Sequence, residues 1–192
     1  MKFLGRRILI ERELSELDIF TLDFIKTLRK YSSYAVISGY VSILLGRARS
    51  SEDVDILIPR MDYVTFRKLL HDIRNSGFYC INAESDEDIY GYIKEKIAVR
   101  FAKHNTVIPN IELKCAKNDI DDITLSNTLT VELSDGDEMT ISSLEMQVAF
   151  KEQVLKSQKD IEDARHIRNV AAGHLDKGLI KKYEEMLDGF YG

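Results

Sequence analysis

Asp53 and Asp55 stand two residues apart inside "DVDILIP", an apolar run that otherwise reads as a buried strand. Side chains alternate faces along a strand, so both carboxylates point the same way. Like charges side by side on a core strand repel each other and resist losing their water. A fold that accepts this run must protonate the pair, match it with a basic partner, or give it a metal ion. A divalent metal is the option that turns the cost into chemistry. Hard cations such as Mg²⁺ take oxygen ligands and are held by one or two carboxylates plus substrate phosphates.

The residues before the pair supply a phosphate end. "YAVIS" (34–38) is a short apolar, β-branched run that reads as a strand, and "YVSILLGR" (40–47) reads as a helix. Gly39 lies between them, where a missing side chain lets the backbone pass close to a ligand. Free N–H groups at the helix start attract anions. Ser42 falls in the first turn as a further donor. Arg47 and Arg49 lie between this helix and the acidic strand and are suited to bidentate contact with phosphate oxygens.

Elsewhere the pattern alternates short helices and strands. Helical spacing marks 15–32, with Ser15 as its cap, and 61–77, closed by Gly77. Strands are expected at 54–58, 78–82, 96–103 and 110–117, and a hairpin at 129–133 and 139–142 around "SDGDE". A short helix or turn is expected over 86–95. From Ser142 onward the chain reads as helical throughout. The expected layout is a mixed α/β core over 1–142, including an N-terminal helix, followed by a helical subdomain over 143–192.

Composition narrows the classes. With 44% hydrophobic and 31% charged residues the chain suits a soluble globular protein. A net charge of −5 gives no basic arm for non-specific binding to nucleic acid. Cys80 and Cys115 form no C-x-x-C pair and read as reduced thiols. Charges break the apolar run of "MKFLGRRILIERELSELD", so no signal peptide is expected, nor is any segment apolar enough to span a membrane. The expected location is the cytoplasm.

Ile37-Ser38-Gly39-Tyr40, twelve residues (41–52), then Asp53-Val54-Asp55-Ile56 resembles the signature of the polymerase-β-like nucleotidyltransferase superfamily. That signature is a hydrophobic residue, Gly, then Gly or Ser, a spacer, and two acids separated by a hydrophobic residue. Tyr40 departs from it by taking the second small-residue position. Its ring there would narrow the phosphate cradle, stack on a base, or pack. The family adds a third carboxylate from a neighbouring strand, and Glu112 in "NIELKCAK" is the better candidate, with Glu132 in "LTVEL" the weaker. A second stretch, "LEMQVAFKEQVLKSQKDIEDARHI" (144–167), is similar to the helical region of abortive-infection-type nucleotidyltransferase toxins. The likeness rests on Lys151 and on the Lys159-Asp160 and Asp163 segment.

The resemblance implies an α+β fold: a small mixed palm-like sheet with flanking helices and a C-terminal helical part. It implies a transferase that moves an NMP, for instance from ATP, to a hydroxyl and releases pyrophosphate. Asp53, Asp55 and Glu112 would hold two Mg²⁺ ions, or Mn²⁺, and act as the catalytic set. Gly39, Tyr40, Ser42, Arg47, Arg49, Lys151, Lys159 and Asp160 would contact the nucleotide. The acceptor stays open among a tRNA end, a protein hydroxyl and a small molecule, as do a homodimer and a toxin–antitoxin-like protein partner. Two rival readings remain. One is an inactive module of this fold that binds nucleotide or protein. The other is a structural protein in which Asp53 and Asp55 pair with Arg47 and Arg49.

Overall fold

A computed structural model describes residues 1–192. Nine strands form one mixed sheet, with β1 (Lys2–Leu4), β2 (Arg7–Ile10), β3 (Ala35–Ile37), β4 (Asp53–Ile58) and β5 (Phe78–Cys80) from the first half. β6 (Val99–Lys103), β7 (Asn110–Cys115), β8 (Thr128–Leu133) and β9 (Glu138–Ser142) complete it. The strand order is β1-β2-β8-β9-β3-β4-β7-β6-β5. β4 is antiparallel to β3 and parallel to β7, so it sits in the middle of the sheet.

The expected helices form, and the signals that start them are local. In α1 (Glu16–Leu28), Ser15 and Asp18 make a reciprocal capping box. Asp62 caps α3 (Tyr63–Asn75) and Ser85 caps α4 (Asp86–Lys94). Between β3 and β4 lies α2 (Gly39–Leu44).

Two elements were not expected. The hairpin β1–β2 buries Ile8 and Ile10 by pairing β2 with β8, parallel and more than a hundred residues away in the chain. α5 (Asp119–Ser126) is capped by Asn118 and buries Ile120 and Thr124. Its run of acids and β-branched residues gives a weak helical pattern on its own.

The C-terminal helices are α6 (Leu144–Phe150), α7 (Gln158–Val170) and α8 (Lys177–Tyr191). α6 runs directly into a π-helical turn over Lys151–Leu155. The main apolar cluster of 37 buried residues crosses position 142, because it includes Leu144, Val148, Ile167, Ala171 and Ile180 beside the sheet residues. The helices therefore pack onto the sheet next to the β3–α2 corner, which brings their charged side chains there. No helix is long and apolar enough to cross a membrane.

Candidate active site

Alternation along β4 sends Val54, Ile56 and Ile58 into the core, each fully buried, and Asp53 and Asp55 to the opposite face. In β7, Ile111 and Leu113 take the core side, and Asn110, Glu112 and Lys114 share the face of the aspartates. The register sets Asp53 beside Asn110 and Asp55 beside Glu112. On its other side Asp55 faces Ile37, the last residue of β3, so the β3–α2 corner adjoins the acids. Glu132 lies on β8, separated from β4 by β9 and β3, and binds Arg7 at 2.8 Å. It cannot serve as the third acid.

Three basic or amide side chains that sequence reasoning did not select complete this face. Lys114 Nζ is bound to Asp55 Oδ1 and lies 3.3 Å from Glu112 Oε2. Arg100 on β6 donates to Glu112 Oε1 from Nε at 2.8 Å. Asn110 keeps a buried Oδ1 with no hydrogen-bond partner. Alternation alone would have found Lys114, two residues from Glu112. The same alternation reaches Asn110, and only Arg100 needed the register between strands.

The electrostatics follow from this packing. Burial pushes the Asp55 carboxyl above the ordinary carboxylate range, against the pull of Lys114 and with a further push from Glu112 and Asp53. Burial acts upward on Glu112 too, but Arg100 and Lys114 outweigh it and hold Glu112 below its ordinary value. For Lys114, burial acts downward and the two carboxylates outweigh it, so the ammonium titrates above its ordinary value.

The chemistry of these donors suits a hard divalent cation: three carboxylates on one face and an unpartnered buried amide oxygen. Their present orientation does not gather them, for no three acidic, histidine or cysteine side chains converge on one point. Asp55 and Glu112 are turned to Lys114 and Arg100 instead.

At the corner, Ser38 has φ 62° and ψ −140°, a strained backbone for any residue but glycine. The position that asks for glycine is thus 38, and the small pair reads Ser38-Gly39, with Tyr40 following it. The Arg49 guanidinium fills the space over Gly39: a Cβ there would meet Nη2 at 2.6 Å.

Two expected nucleotide contacts need correction. The Tyr40 side chain is buried in the core and donates to Asp18 Oδ1 at 2.6 Å. Burial and the Asp18 charge hold its phenol neutral, well above its ordinary range. Ser42 is fully buried and its Oγ has no partner, so it does not reach a phosphate from the surface.

Arg47 and Arg49 do not pair with Asp53 or Asp55, which removes the structural reading built on those pairs. Both bind Asp163, Arg49 Nη1 at 2.8 Å from Oδ2. Lys151 Nζ joins the same oxygen at 3.0 Å and lies 3.7 Å from Asp160 Oδ1. Asp163 is fully buried and Lys151 is 1% exposed, so this cluster is part of the packed interior beside the corner. Lys159 is exposed, and its carbonyl accepts from Arg47 at 3.1 Å. A small cleft of about 60 Å³ opens here, lined by Ser38, Thr124, Met146, Gln147, Phe150 and Lys151 among others.

No protein-family model and no curated protein matches the chain. Among solved structures, the chain is similar to an antigenic nucleotidyltransferase-like protein from Paracoccidioides brasiliensis. The match has a TM-score of 0.54 and 16% identity over 93% of this chain and 90% of that one. The shared property is the α+β fold, over nearly the full chain.

Proposed function

We propose that this protein is a metal-dependent nucleotidyltransferase that moves an NMP from an NTP to a hydroxyl acceptor. The observation that carries the reading is the placement of Asp53, Asp55 and Glu112 on one face of β4 and β7, beside the Ser38-Gly39 corner. Two like charges in direct register, Asp55 and Glu112, cost stability unless a function keeps them.

Divalent cations, when bound, lower the pKa of an attacking hydroxyl and offset charge on a leaving pyrophosphate. Asp53, Asp55 and Glu112 would hold them, with Asn110 Oδ1 as a further oxygen. Arg49 over Gly39 would bind the triphosphate, and Lys151, buried against Asp163, would hold Asp163 and through it Arg49 in place. The acceptor oxygen bonds to the α-phosphorus as its bond to the bridging oxygen breaks. Pyrophosphate leaves with the electron pair, and the hydroxyl proton passes to a carboxylate of the acidic face. The likeness of 144–167 to abortive-infection-type toxins favours a tRNA end or a protein hydroxyl as acceptor, with a small molecule as the alternative.

One observation favours a second reading, a catalytically inactive module that binds nucleotide or protein. Lys114 and Arg100 already occupy the carboxylates. Label transfer from radioactive NTPs to total RNA, protein and small-molecule pools separates the two. The enzyme reading expects Mg²⁺-dependent labelling that Asp53→Asn with Asp55→Asn reduces by about 100-fold or more, equivalent to about 3 kcal/mol of barrier. Nucleotide binding without any labelling, or labelling indifferent to the double variant, rejects it.

A further inference from the structure

This chemistry gives no part to two charged side chains of the acidic face, Arg100 and Lys114, and of these Lys114 is the one that bridges two acids. It touches both carboxylates that stand in register, Asp55 and Glu112. An ammonium brings three donors on a flexible four-carbon stem and forms no fixed fork, so it can leave a site without rearranging the strand that carries it. At 29% side-chain exposure Lys114 has a route outward to water. Arg100, by contrast, grips Glu112 alone, from the neighbouring strand.

We propose that Lys114 is a resident counter-cation, which holds the acidic face together without metal and swings outward when a divalent ion enters. The inference rests on the reading of Asp53, Asp55 and Glu112 given above. It also accounts for the absence of a converged metal cluster. The carboxylates are drawn to the lysine, and without it two acids in direct register would repel. The same oxygens cannot bind the ammonium and a divalent ion in full at once. Metal therefore binds only the fraction of molecules in which Lys114 has moved, and its apparent affinity falls by that fraction. An NTP reverses this, since its phosphates add metal ligands and give the released ammonium a new anionic partner. Metal and nucleotide should then strengthen each other's binding reciprocally.

Mn²⁺ binding, followed by electron paramagnetic resonance, tests this with wild type, Lys114→Met and Lys114→Arg, with and without a non-hydrolysable NTP. Lys114→Met should bind Mn²⁺ alone about tenfold more tightly or better, a change of about 1.4 kcal/mol. It should also gain less from the NTP and melt at a lower temperature without metal. Lys114→Arg keeps the charge and adds a fork, so it should bind Mn²⁺ no more tightly than wild type. A measurement on the native chain needs no variant to fold: saturating Mn²⁺ should speed acetylation of Lys114, read by mass spectrometry of its peptide. Unchanged acetylation, or Lys114→Met binding no tighter than wild type, overturns the counter-cation role. In that case wild-type Mn²⁺ binding, lost in Asp53→Asn with Asp55→Asn, still supports the site. No Mn²⁺ binding by wild type or Lys114→Met, with or without NTP, overturns the site reading and this inference together.

Discussion

Asp163 shows how much one residue can organise. Its buried carboxylate receives Arg47, Arg49 and Lys151, so removing its charge leaves three cations facing one another. Asp163→Asn should cost about 3–5 kcal/mol of stability, as for breaking other buried ion clusters. Lys151→Met should cost clearly less, because both arginines still neutralise the carboxylate. Denaturant unfolding of the two variants checks the order, and equal losses would mean that Asp163 is not the hub. Asp18 plays a similar part for Tyr40. Burial pushes its pKa up, but Arg12, Tyr40 and Ser15 outweigh burial and hold it below the ordinary 3.8. A carboxyl depressed in this way stabilises the fold above pH 3.8, and that stabilisation is lost as pH falls through the lower folded value. The melting temperature of wild type should therefore drop in that acid range more steeply than that of Asp18→Asn. At neutral pH the variant should be less stable by about 2–3 kcal/mol. Parallel pH profiles would remove Asp18 from this role.

The β3–α2–β4 unit carries the element-scale account. Gly39 is bare because Arg49 lies against it, held from the far side by Asp163. Gly39→Ala would push a flexible side-chain end rather than backbone, so stability should change by no more than about 1 kcal/mol. Nucleotide affinity should nonetheless fall, because Arg49 leaves the corner. Calorimetric titration with a non-hydrolysable NTP tests this, and unchanged affinity would separate Arg49 from the ligand. The acidic pair was legible in sequence because period-two alternation fixes its face without knowledge of neighbours. The Ser38 backbone was not legible, since serine gives no sign of a positive φ. The one-residue shift that makes the small pair Ser38-Gly39 emerged only from the dihedral angles. The same holds for the π-helical turn, which starts at the buried Lys151 and has no sequence signature. Turns of this kind are frequent at functional sites.

At the scale of the molecule, local signals placed most helices and strands, and long-range pairing placed the rest. Ser15, Asp62 and Ser85 announce their helices by capping. The β2–β8 ladder, and the pairing that sets Glu112 beside Asp55 and Arg100 beside Glu112, depend on partners far along the chain. Glu112 was nameable as a candidate through the family resemblance and Lys114 by alternation from it, but Arg100, which also neutralises Glu112, was not. The sheet therefore presents an acidic face that is balanced from within, next to a corner crowded with cations from the α2–β4 link and the π-helical turn, gathered on Asp163 of α7. Crystals grown with Mn²⁺ and a non-hydrolysable NTP test the central claim most directly, through the anomalous signal of manganese. The account predicts a manganese peak among Asp53, Asp55 and Glu112, triphosphate density beside Gly39 and Arg49, and Lys114 moved off Asp55 and Glu112 toward the phosphates. Nucleotide bound elsewhere, with no manganese at the three acids and Lys114 still on Asp55, would contradict it.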